Sequence, residues 1–247
     1  MLSDSPIIEV DSIDSTNNYA MQLIDANKAQ QGLTIVAQSQ AAGKGQRGKV
    51  WTDTPSQSLL MSIIVVPGRP IQEQFVFNAA IAAAIANVLQ NLYKEWHINV
   101  KWPNDIIIND KKAGGILIEN VLRGSKWTHA VVGFGLNVKQ AQFPDSLPFA
   151  TSLKIASGND FNMTQLRDTL RENIMLCTVC PPPADKIMAR YNELLYKRGQ
   201  KQFFSNATGK WDVTLLNAHT DGTLEVQLRD GTIVFYHHGQ ATWEWGD

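Results

Sequence analysis

One run, Lys101-Trp102-Pro103-Asn104-Asp105 and onward to Glu119 (KWPNDIIINDKKAGGILIE), restricts the fold more than any other part of the chain. Ile106 to Ile108 form a short apolar stretch, Asn109-Asp110 follows, and Gly115-Ile116-Leu117-Ile118 forms a second stretch. Apolar, β-branched runs separated by a turn pair predict strand, turn, strand. Pro103 fixes its own φ and drives Trp102 towards an extended backbone, so Asn104 and Asp105 enter the hairpin in one geometry. Around this ribbon stand Lys101, Asn104, Asp105, Lys111 and Lys112. Asp105 and Asn104 offer the hard oxygens that Mg²⁺ takes. Lys112 is a point charge suited to a carboxylate or a phosphate. Gly114-Gly115 omits two side chains, which predicts close approach of a ligand to the backbone. A solvated, charged hairpin with a rigid entry has the same sequence, and this run alone does not separate the two.

A second stretch, Gly43-Lys44-Gly45-Gln46-Arg47-Gly48-Lys49, carries three glycines and three cations in seven residues. Such a loop bends its backbone N–H groups onto an anion while the cations supply the field. It lacks the Gly-Lys-Ser/Thr ending of a P-loop. Its G-x-G-x-x-G spacing is followed by Val50-Trp51 and a strand pattern rather than by the helix a dinucleotide fingerprint needs. A flexible basic connection and a loop that closes over a nucleotide read alike here.

Taken in order, Ile7 to Val10 predicts a strand, and Ser15-Thr16-Asn17 opens a helix with Ala20, Leu23 and Ile24 on one face. Those hydroxyls either cap the helix or bind a small polar ligand group, and the two roles are compatible. Thr34 to Ala37 and Leu59 to Val66 predict strands, and 72–96 predicts a helix with thin alanine faces. Val121 to Lys126 reads as a turn, and Thr128 to Gly133 as a buried strand with Gly133-Phe134-Gly135 at its end. Close approach of a ligand explains those glycines best, with Asn137 at the same rim. Thr164 caps a predicted helix reaching about Cys177, and 184–197 predicts another. A boundary falls near Gly199-Gln200. Beyond it the period is two, with hairpin turns at Asp221-Gly222 and Asp230-Gly231.

The 247 residues suffice for one large and one small unit. A formal net charge of -1 argues against a general nucleic-acid binder. No apolar run reaches the ~18 residues of a membrane span, and the acidic N-terminus is unlike a signal peptide. A cytoplasmic address is the expectation. Cys177 and Cys180 have no second pair to complete a zinc site, and they run into Pro181-Pro182-Pro183 where a redox pair would open a helix. They are read as small core or boundary residues.

Together the blocks closely resemble the biotin protein ligase family. GKGQRGKVW matches its glycine-rich loop, with Lys44 and Gln46 where arginines are common. Lys101 to Glu119 matches its KWPND and K-x-x-G-I-L-x-E block; Asp14 to Asn17 and Gly133 to Asn137 match two further blocks in the right order. The resemblance covers the first three-quarters of the chain well. It implies an α+β fold: a mixed, mostly antiparallel sheet with helices on one side (residues 1–198), then a small C-terminal SH3-like β-barrel (199–247). It implies two-step chemistry in which biotin is activated by ATP with Mg²⁺ and transferred to a lysine of a biotin carboxyl carrier domain of a biotin-dependent carboxylase.

By the same resemblance, Lys112 and Arg47 are the catalytic residues. Biotin is expected against Ser15, Thr16, Asn17 and Gln40. It is also expected against the loop residues Gly43, Lys44 and Gln46, against Trp51 and Lys112, and along Gly114, Gly115, Gly133 and Gly135. ATP is expected against Lys44, Arg47, Lys49 and Trp51, and against Lys101, Asn104, Lys112 and Asn137; the metal is expected on Asp105 and Asn104. No nucleic acid or membrane partner is implied, and either a monomer or a homodimer fits. A lipoate ligase or octanoyl transferase lacks the paired loop and KWPND blocks. A transcriptional regulator of this family carries a helix-turn-helix ahead of the ligase, where about a dozen residues precede Asp14 here.

Overall fold

The structure, a computed structural model, describes residues 5–245. Strand β1 (Ile7–Ile13) leads into helix α1 (Thr16–Asp25), and β2 (Thr34–Gln40) and β3 (Ser58–Val65) flank the glycine-rich loop. Helix α2 (Gln74–Leu92) precedes β4 (Ile98–Lys101), β5 (Asp105–Ile108), β6 (Lys111–Arg123) and β7 (Lys126–Asn137). Helices α3 (Leu153–Ser157), α4 (Met163–Val179) and α5 (Ala184–Leu194) follow. The last part holds β8 (Lys201–Asn206), β9 (Gly209–Ala218), β10 (Leu224–Leu228), β11 (Ile233–Tyr236) and β12 (Thr242–Trp243).

The first seven strands form one sheet in the order β1-β2-β3-β7-β6-β5-β4. Only β1 and β2 pair in parallel; the other pairs are antiparallel. The period of two decides which face each residue takes. Leu59, Met61, Ile63 and Val65 join the large core against α2, α4 and α5. Ile35, Ile64 and Val131 face the other way, under Ala20 and Ile24 of α1. Helices therefore cover both faces, and the expectation of helices on one side is corrected. Residues Ile71–Leu92 are long and apolar enough to cross a membrane by length and composition, but the alanines Ala79, Ala82 and Ala86 let the helix lie buried in this core.

Several boundaries differ from the sequence reading. Asn162, not Thr164, caps α4, its Oδ1 accepting from the backbone N–H of Gln165 at 3.0 Å. Helix α5 ends at Leu194 because the backbone then pairs with β4, Tyr196 N–H donating to Val100 O at 2.9 Å. Strands β6 and β7 run to Arg123 and from Lys126, leaving a tight turn at Gly124-Ser125. Gly133 and Gly135 thus lie inside β7, not at its end. The C-terminal strands pair as an open sheet, β11-β10-β9-β8-β12, and among the described residues no ladder joins β11 to β12.

Candidate active site

Antiparallel register puts one row of residues across five strands. Lys101 pairs with Asp105, Asp105 with Gly115, Gly115 with Gly135, and Gly135 with Leu60. A second row joins Ser62, Gly133 and Leu117. Both rows face the α1 side. With glycine at three of these positions the sheet surface is hollow, and a cavity of about 520 Å³ lies over it. Its rim is the N-terminus of α1, the loop from Lys44 to Trp51, and the segment from His238 to Trp245.

A bulge aims the principal cation. Ile106 pairs with Gly114 but Ile107 pairs with Lys112, so Ala113 is the extra residue. Ala113 turns into the core, and Lys112 comes to the cavity side with Nζ 2.7 Å from Asp105 Oδ1. The backbone of Lys112 is pinned as well: its N–H donates to Phe149 O at 2.7 Å and its carbonyl accepts from Thr151 at 2.9 Å. The turn before it is equally fixed. Pro103 O, in a cis Trp102-Pro103 unit, accepts from Asn78 of α2 and from the Tyr191 hydroxyl of α5, each at 2.9 Å. Asn104 is tied to Ile116 in both directions, accepting from its N–H and donating Nδ2 to its carbonyl. The Asn104 amide nitrogen is thereby committed to structure, which leaves Oδ1 alone for any ligand.

The opposite end of the cavity is polar and almost fully buried. Gln40 Oε1 accepts from the Thr16 N–H at 2.7 Å and from its hydroxyl at 3.1 Å. Ser62 Oγ lies 2.7 Å from Thr16 Oγ1 and 2.6 Å from Asn17 Oδ1. Asn17 Nδ2 donates to Glu119 Oε2 at 2.7 Å and to Leu117 O at 3.3 Å. Ser15 is the N-cap by position, yet its hydroxyl makes no capping bond and lines the cavity.

The glycines did not all turn out as expected. A Cβ on Gly133 would lie 2.2 Å from Asn17 Oδ1, and one on Gly135 would lie 2.8 Å from the Trp51 ring. These glycines make room for the side chains of Asn17 and Trp51, and they line the cavity themselves. Gly114 lies outside the cavity lining, packed so that a Cβ would meet Gly135 O at 2.8 Å. Gly43 is likewise closed off, by Trp51 O at 2.5 Å. Gly115 does face the cavity. Asn137 is turned away, its Nδ2 donating to Thr151 O at 3.0 Å and its Oδ1 3.4 Å from Gln140 Nε2.

The loop folds back on itself as a small hairpin: Trp51 N–H donates to Gly43 O and Gly45 N–H to Lys49 O. Arg47 takes positive φ at its tip, and its Nη1 donates to His238 O at 2.8 Å. Lys44 pairs with Glu119 at 3.3 Å. Gln46 and Lys49 also border the cavity, and Gln46 Oε1 is buried without a hydrogen-bond partner. The C-terminal segment supplies a wall that no local pattern announced. Lys101 Nζ donates to Trp243 O at 3.0 Å and sits over the Trp243 and Trp245 rings at 4.8 and 4.2 Å. Ser62 did leave a signal, being polar within the apolar run SLLMSIIV.

Burial pushes the Lys101 ammonium down to about 8, against the pull of Asp105 and with the push of Lys112 and Lys49. Between about pH 8 and the ordinary lysine value the unfolded chain holds a proton that the folded chain lacks, so stability rises with pH in that window. Below pH 8 both states carry the proton and the burial cost stands in full. Lys101→Met should flatten this rise when urea midpoints are compared at pH 7.5 and 9.5. Equal slopes in the two proteins would contradict the assignment. Burial pushes the Cys177 thiol up to about 12, and neither cysteine lines the cavity.

Three kinds of comparison bear on this geometry. The model of the biotin/lipoate A/B protein ligase family matches residues 9–137. The bifunctional ligase/repressor BirA of Bacillus subtilis is 35% identical over 178 residues, 69% of this chain and 52% of that protein. The biotin--[acetyl-CoA-carboxylase] ligase of Paracoccus denitrificans is 33% identical over 135 residues, 54% of each. The chain thus spans about half the length of the curated relatives it matches. Among solved structures, the biotin protein ligase from Aquifex aeolicus in complex with biotin and ATP superposes with a TM-score of 0.77 at 21% identity, covering 97% of this chain and 99% of that one.

Proposed function

The chain belongs to the biotin/lipoate A/B protein ligase family, and from that premise we propose that it joins biotin to ATP and passes the biotinoyl group to a lysine of an acceptor carboxylase domain. The observation that carries this reading is the polarity of the cavity. One end is a buried set of hydroxyls and amides around Thr16, Gln40 and Asn17; the other is a cluster of cations, Lys112, Arg47, Lys44 and Lys101, about a glycine floor. A ureido ring has N–H and C=O groups for the first end, whereas the dithiolane of lipoate has none. A carboxylate and a triphosphate need the second.

In the first step a carboxylate oxygen of biotin attacks the α-phosphorus and the bond to pyrophosphate breaks. Two anions have to meet, so positioned cations carry most of the catalysis. Lys112 is assigned to bridge carboxylate and α-phosphate, with Arg47, Lys44 and Lys49 on phosphate oxygens and Trp51 as a wall. In the second step an acceptor lysine attacks the carbonyl, AMP leaves, and the amine loses a proton. No enzyme nucleophile is needed.

The donor set fits a Mg²⁺ shared with the phosphates rather than a cage of its own. Asp105 gives one carboxylate and Asn104 one amide oxygen, and among the described residues no group of three His, Cys, Asp or Glu side chains could hold an ion. Bound there, Mg²⁺ would draw charge from the phosphate oxygens. Asp105→Asn should raise the Mg²⁺ concentration for half-maximal activity about 10-fold, leaving the biotin KM near that of the wild type. Unchanged Mg²⁺ dependence would leave Asp105 only the task of holding Lys112.

This reading takes residues 1–198 as the catalytic unit and 199–247 as a small barrel-like unit, supported by five antiparallel strands. Its acceptor is taken to be a biotin carboxyl carrier domain, its address cytoplasmic, and its form a monomer or homodimer without nucleic acid or membrane. A thermal-shift titration tests it: biotin should stabilise the protein where lipoate does not, and the reverse would move the assignment to a lipoate ligase.

A further inference from the structure

We infer that Glu119 is a positioning residue, a single carboxylate that ties the buried floor of the cavity to the glycine-rich loop above it. Glu119 stands on β6, paired with Val131, two residues beyond Leu117. Its Oε2 accepts from Asn17 Nδ2 at 2.7 Å, and its Oε1 lies 3.3 Å from Lys44 Nζ. Asn17 is in turn held by Ser62 Oγ at 2.6 Å. A chain of contacts therefore runs from the sheet through α1 to the loop: Ser62, Asn17, Glu119, Lys44. Among the described residues Lys44 has no other ion pair.

The residue type matters. Two donors, an amide N–H and an ammonium, converge on the two oxygens of one side chain. A carboxylate is acceptor-only on both atoms, whereas glutamine is acceptor on one and donor on the other. Glutamine of the same size would keep its carbonyl on the buried Asn17 amide and set its NH₂ against Lys44, whose exposed ammonium can turn to water. Aspartate is one methylene too short to reach both.

The kinetic half of the inference rests on the ligase reading; the tether itself does not. Without ligand, Glu119→Gln should speed hydrogen exchange of amides 43–50 by about 2- to 5-fold, the size of a part-exposed ion pair. Lys44→Met should do the same, and the double variant should add nothing further. In turnover, Glu119→Gln should raise the KM for ATP while leaving that for biotin, because Asn17 keeps its acceptor. Glu119→Ala should raise both. Unchanged loop exchange in Glu119→Gln, or a lower KM for ATP as simple removal of a negative charge would give, overturns the tether. Faster exchange in Glu119→Gln, together with no biotin-dependent turnover by the wild-type protein, supports the tether and sinks the ligase reading instead.

Discussion

Replacing Lys112 with alanine is expected to lower the rate of adenylate formation by about 100-fold or more while the protein stays folded. The magnitude is that of removing one preorganised electrostatic stabiliser from a reacting centre. The fold should tolerate the change because the side chain contributes a part-exposed pair with Asp105, of a class that stabilises by at most about 1 kcal/mol. What holds the strand is backbone, to Phe149 and Thr151. Biotin-dependent exchange between pyrophosphate and ATP measures the rate, and a melting curve checks the fold. Exchange near the wild-type rate would remove Lys112 from the chemistry.

Gly133→Ala should have the second largest effect, at the other end of the cavity. The added Cβ would stand 2.2 Å from Asn17 Oδ1, 2.9 Å from Cγ and 3.0 Å from Nδ2. The Asn17 side chain is short and buried, and it is bonded to Ser62, Leu117 and Glu119. It cannot yield without breaking those bonds, and each buried group left unpaired costs about 1–3 kcal/mol. Biotin affinity should fall about 10- to 100-fold with a lowered melting temperature, read by calorimetric titration. Wild-type affinity would mean that Asn17 is not part of the ring pocket.

The central hairpin was legible because its signals are local. Three isoleucines, an Asn-Asp turn and a glycine pair specify strands and turn whatever the rest of the chain does. Asn109 and Asp110 take positive φ in the structure, as such a turn needs. Lys112 was singled out from the same run, but the bulge that turns it to Asp105 depends on β6 pairing with β5 and was not visible. The glycines of β7 were singled out for close approach, and they line the cavity, but the side chains that need their room were not foreseen. A missing Cβ reveals close approach, not what approaches, and Trp51 and Asn17 come from elsewhere in the chain. Trp243 and His238 were missed for the same cause. Their place on the cavity is set by Lys101 Nζ on Trp243 O and Arg47 on His238 O, contacts between residues well over a hundred positions apart. Glu119 ended a recognised block without a role, because its two partners lie on different elements.

The central claim is that this cavity brings the carboxylate of biotin to the α-phosphorus of ATP. Its most direct test uses biotin labelled with ¹⁸O in both carboxylate oxygens, together with ATP, Mg²⁺ and an acceptor carrier domain, and follows the label by mass spectrometry. The account predicts a biotinoyl-adenylate intermediate and, after transfer, AMP carrying one ¹⁸O with none in pyrophosphate. Unlabelled AMP, or label in pyrophosphate or phosphate, would contradict it.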